Sequence, residues 1–77
     1  MTRAMANMID GLKALGLNKT TTLGIVNFLN TPEKIRAMED FLISEYDKGN
    51  KHPTEQQILR QLKEILRQYG GLNEGVE

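Results

Sequence analysis

Apolar residues recur at spacings of three and four along most of the chain, the period that stacks side chains on one face of an α-helix. Met5, Met8, Ile9, Leu12 and Leu15 follow this period first, and Gly16 then supplies the residue that most readily adopts the left-handed conformation closing a helix. The pattern predicts a helix over residues 3–15, with Gly11 in its interior costing about 1 kcal/mol relative to alanine.

The next stretch carries two conflicting signals. Thr20, Thr21, Thr22, Ile25, Val26 and Phe28 all favour strands by propensity. Leu23, Val26 and Leu29, widened by Ile25 and Phe28, instead follow helical spacing, and strict alternation is broken. The spacing favours a helix over residues 19–29, capped by Asn18 or one of the threonines, with a strand over residues 20–29 as the alternative.

Thr31 followed by Pro32 marks a third helix start, because proline lacks only an amide that the first helical position leaves unbonded anyway. From there to Asp47, Ile35, Met38, Leu42 and Tyr46 line one face, flanked by Phe41 and Ile43. So apolar a helix, over residues 32–47, should pack against two neighbours. The following DKGNKHP run, rich in turn residues and charge, reads as an exposed loop.

Thr54 with Gln57 three residues later forms a capping box, in which each side chain satisfies the other residue's backbone amide. Ile58, Leu59, Leu62, Ile65, Leu66 and Tyr69 then repeat through four turns until Gly70 and Gly71. This predicts a helix over residues 55–69. The expected fold class is therefore all-α, a compact bundle of three or four short helices in one domain over residues 1–71, with residues 72–77 as a flexible tail.

Composition narrows the function classes. At 77 residues there is room for one hydrophobic core. The absence of cysteine removes disulfides, thiolate metal sites and thiol chemistry. Apolar runs are interrupted by Asn7, Asp10, Gly24 and Asn27, short of the ~20 residues that cross a bilayer, and the first residues have no secretory pattern. These features predict a cytoplasmic protein with no membrane contact.

Candidate chemistry is sparse. The single histidine, His52, lies in the predicted loop beside Pro53 with no second ligand at useful spacing, and the carboxylates fall on polar faces. Gly11, Gly16 and Gly24 lack the strand-to-helix setting of a phosphate loop. No catalytic residue, cofactor or metal is expected.

Ten basic and ten acidic residues cancel, which removes the global attraction most nucleic-acid binders use. Acids dominate residues 32–47 and bases residues 48–69, a division that suits weak complementation between neighbouring helices. Gln56, Arg60, Lys63 and Arg67 form the one ordered basic stripe, opposite the apolar face of the last helix. With Phe41 and Ile43 they make up the candidate interaction surface. The expectation is a small non-enzymatic protein that acts through contact with a protein partner or with itself, in a regulatory, accessory or adaptor role.

The alternative is a dimeric DNA-binding regulator that uses Arg60, Lys63 and Arg67 or the segment 20–29. A helix-turn-helix would make residues 32–47 the reader, but Glu33, Glu39, Asp40 and Glu45 would then bring acids towards phosphates. A ribbon-helix-helix requires residues 21–29 to be a strand. The segments TPEKIRAMEDFL and PTEQQILRQLKEIL carry no family signature.

Overall fold

The computed structural model describes residues 3–70, which form four helices: α1 (Arg3–Ala14), α2 (Lys19–Phe28), α3 (Pro32–Asp47) and α4 (Glu55–Tyr69). The all-α expectation holds. Residues 20–28 are helical and Leu29 caps the helix, so the strand alternative over residues 20–29 is corrected: Asn18 Oδ1 accepts from the Thr21 amide at 2.7 Å and starts the helix despite the three threonines. The predicted tail over residues 72–77 lies outside the described residues.

Two of the chain reversals, after α1 and after α3, are glycine turns of one type. After α1, Gly16 takes φ 96° while its amide donates to Lys13 O at 2.9 Å and the Leu17 amide donates to Leu12 O at 3.3 Å. After α3, Gly49 takes φ 100°, its amide donates to Tyr46 O at 2.9 Å, and the Asn50 amide donates to Glu45 O at 2.8 Å. These paired bonds define a Schellman closure, which needs a residue without a Cβ at the left-handed position.

The first closure carries the apolar contact usual for the motif: Leu17 and Leu12 both end buried in the core. The second is polar. Asn50 Nδ2 donates to Glu45 Oε1 at 3.0 Å and to Gln57 Oε1 at 3.2 Å. Gln57 Oε1 also accepts from the Thr54 amide at 2.9 Å, completing the capping box of α4. The end of α3 is thereby joined to the start of α4 through one amide side chain.

The result is two helical hairpins, α1–α2 and α3–α4, laid side by side. Ala4 and Met5 sit with Pro32 and Ile35 at one end, and Gly11 and Leu15 with Leu42 and Tyr46 at the other, so α1 and α3 run parallel. Phe41 and Glu45 face Gln57 and Gln61, so α4 runs back along α3. α3 touches both α4 and α1, as its apolar width predicts; α2 touches α1 and α4, while α2 with α3, and α1 with α4, meet only at isolated points.

Leu12, Ile25, Leu29, Met38, Ile58 and Ile65 are almost fully removed from water at the centre. Several residues assigned inward by spacing are instead exposed, among them Leu23 and Phe28 on α2. Successive steps of three drift around a 3.6-residue helix, whereas Thr22, Val26 and Leu29 stay on one face. Tyr46, also expected inward, is 58% exposed because α3 has sixteen residues against the twelve of α1, leaving its last turn without a neighbour on that side.

Thr22 occupies a central core position, and its Oγ1 has no hydrogen-bond partner. Burial of an unbonded hydroxyl is destabilising, while valine has nearly the same shape and no polar atom. Thr22→Val should therefore raise the unfolding free energy by about 1 kcal/mol in urea titration. A loss of stability on this substitution would show that the hydroxyl is bonded in solution.

Candidate interaction surface

The residues singled out in the sequence fall on two separate faces. Gln56, Arg60, Lys63 and Arg67 are all exposed along α4, where helical spacing places them. The stripe is partly neutralised, since Arg67 Nη1 lies 3.3 Å from Glu64 Oε2. The other ion pair described, Lys48 to Glu45 at 3.4 Å, also joins residues three apart, so these contacts do not tie α3 to α4 as the division of charge suggested.

Phe41 and Ile43 are two residues apart on α3 and therefore project from opposite edges of it. Phe41 is half-buried between α3 and α4, where it lines a cleft of about 170 Å³ with Glu45, Gln57 and Arg60. This cleft joins one basic residue of the stripe to an aromatic edge. Ile43 stands on the other side, 59% exposed between α3 and α1.

There it lines the larger cleft, of about 270 Å³, together with Gly11, Leu15, Leu42, Tyr46 and Pro53. Lys51 closes one end, its Nζ 5.8 Å from the centre of the Tyr46 ring, within range of a cation–π attraction. A Cβ added at Gly11 would meet nothing within 4 Å, so the fold does not require glycine there, and its absence leaves the α1 wall open. Further along the same α1–α3 groove, Ala4, Met5, Pro32 and Ile35 line a second cleft of about 170 Å³.

Sequence reasoning missed this groove because it is built from residues whose spacing suits a core. Leu15 and Leu42 pack against the core yet are only partly buried, and Tyr46 overhangs the end of α1. The available signal was the unequal length of the two helices.

Of the chemistry weighed earlier, His52 stands exposed in the loop, and among the described residues no group of three or more His, Cys, Asp or Glu could hold a metal ion. No described helix is long and apolar enough to cross a membrane. α2 and α3, the pair that a helix-turn-helix would use, meet only at isolated points. No known protein family, curated protein or solved structure matches this chain.

The polar clasp beside these clefts is sensitive to protonation. The Asn50 amide donating to Glu45 holds its carboxyl below the usual carboxylate range, and Lys48 adds to the effect against partial desolvation. A carboxyl with a lowered folded-state pKa adds stability above its unfolded pKa, of about 4.3, and that stability is lost as pH falls through the folded value. Urea titrations repeated across acid pH should therefore show a steeper loss for the wild type than for Glu45→Gln. Parallel curves would mean that the clasp does not form.

Proposed function

We propose that this protein works by protein contact, with no chemistry of its own, and that the α1–α3 groove is its contact surface. The observation that carries this reading is the exposure of Ile43 and Tyr46, at 59% and 58%, beside an apolar cleft of about 270 Å³. Exposed apolar groups clustered around a concavity mark interaction sites far more often than isolated ones do, and an aromatic ring at the rim is a common anchor. The α4 stripe supplies charge beside a smaller cleft, of about 170 Å³, which suits the rim of an interface or a solvated face. A regulatory or adaptor role suits a fold that offers this surface and, among the described residues, no group of three or more His, Cys, Asp or Glu that could hold a metal ion.

Site-specific photocrosslinking separates the two faces. A photoreactive side chain in place of Ile43 should yield a discrete protein adduct under native conditions, and one in place of Lys63 should not. Adducts from position 63 alone would move the contact to α4. Duplex DNA is the remaining competitor: a low-salt mobility shift abolished by the combined changes Arg60→Gln, Lys63→Gln and Arg67→Gln would replace protein contact with phosphate binding.

A further inference from the structure

α2 is the helix whose own residues argue most against it. Three threonines, Gly24, Ile25 and Val26 fill most of its ten positions, and all are poor helix formers or better suited to strands. Its ends are no better served. α1, α3 and α4 are each followed by a glycine of positive φ, at Gly16, Gly49 and Gly70, whereas α2 ends at Leu29 with φ −87° and no such closure. The other helices also carry at least one charge that suits the helix dipole: Lys13 in α1, Glu33 in α3, and Glu55 with Arg67 in α4. α2 has neither an acid in its first turn nor a base in its last, and begins instead with Lys19.

Nothing polar ties α2 to the bundle. Among the described residues, none of its side chains hydrogen-bonds or ion-pairs with another helix, and the Asn18 cap is local. Thr22 Oγ1 is buried with no partner at all. Burial is what holds the element, through Ile25 and Val26, each 2% exposed. A ten-residue helix of this composition has little stability of its own in water, so releasing that contact releases the helix as well. The other three helices remain connected without it, because α3 touches both α1 and α4.

We infer that α2 is a flap built into the fold: residues 18–29 open and unravel as one unit while α1, α3 and α4 stay folded. Opening uncovers the apolar faces of α1 and α4 that α2 covers in the closed form. The amount of apolar surface on display is then an equilibrium property, adjustable by any change that favours one form over the other. No residue of α2 lines the α1–α3 clefts, so this movement is separate from the contact surface proposed above. Conflict between local preference and overall fold is concentrated in this one element, as expected of a segment kept able to move.

Native-state hydrogen exchange, read amide by amide by NMR in low urea, tests this on the full chain. The amides of residues 23–28 should be at least about tenfold less protected than those of residues 62–66, with a smaller dependence on urea. Two substitutions separate the opening from unfolding of the whole chain. Gly24→Ala, whose added Cβ meets nothing within 4 Å, strengthens α2 and should raise the protection of both sets about fivefold. Arg60→Gly, at an exposed position, weakens α4, which is intact in the open form. It should lower the protection of residues 62–66 about fivefold and leave residues 23–28 unchanged.

Equal protection and equal urea dependence in the two sets overturn the inference. So does a fall at residues 23–28 in Arg60→Gly, which would mean that α2 opens only when the whole chain unfolds. Residues 23–28 unaffected by Gly24→Ala overturn it as well, since the helix would then survive its own opening.

Discussion

Everything else in this fold depends on the chain being able to reverse at Gly16 and Gly49. At both positions φ is close to +100°, where a side chain would be strained, and at both the next residue returns its amide to the last turn of the helix it has just left. These closures aim α2 back along α1 and α4 back along α3. With the turn over residues 29–31, they set the parallel course of α1 and α3 and the groove between them. Two residues with no side chain thereby determine how the helices pair within each hairpin.

The two closures solve the same problem with different chemistry. Leu17 anchors the first by entering the core, so its strength comes from removing apolar surface from water. Asn50 anchors the second by hydrogen bonds to Glu45 and Gln57, near the surface, where each bond adds little but fixes direction. The polar choice couples the end of α3 to the capping box of α4, so that loop and helix start are positioned together.

Much of the fold was legible in the sequence because its signals were local. Thr31–Pro32 and Thr54 with Gln57 mark helix starts through backbone amides only three residues away. The depth of each residue was less legible, because it depends on neighbours that the sequence does not name. Tyr46 has core spacing but overhangs α1, and Leu17 follows a helix yet is buried. Lys34, a charged residue, is 6% exposed, its stem covered and its Nζ bonded to Asn30 Oδ1 at 3.1 Å. The candidate surface suffered most: Phe41 and Ile43 were grouped by apolarity, and the helix turns them to opposite sides.

The hairpin closures also bear on how the chain reaches this state. The most extensive helix contacts, α1 with α2 and α3 with α4, join elements adjacent in sequence, so each half forms at the entropic cost of a short loop. Only the meeting of the halves is long-range, through α1 with α3 and α2 with α4. Such a chain has low contact order and belongs among fast folders, with little time spent exposing the apolar faces that it later buries. For a protein whose finished surface still displays Ile43 and Tyr46, speed of folding limits the interval in which those residues meet the wrong neighbour.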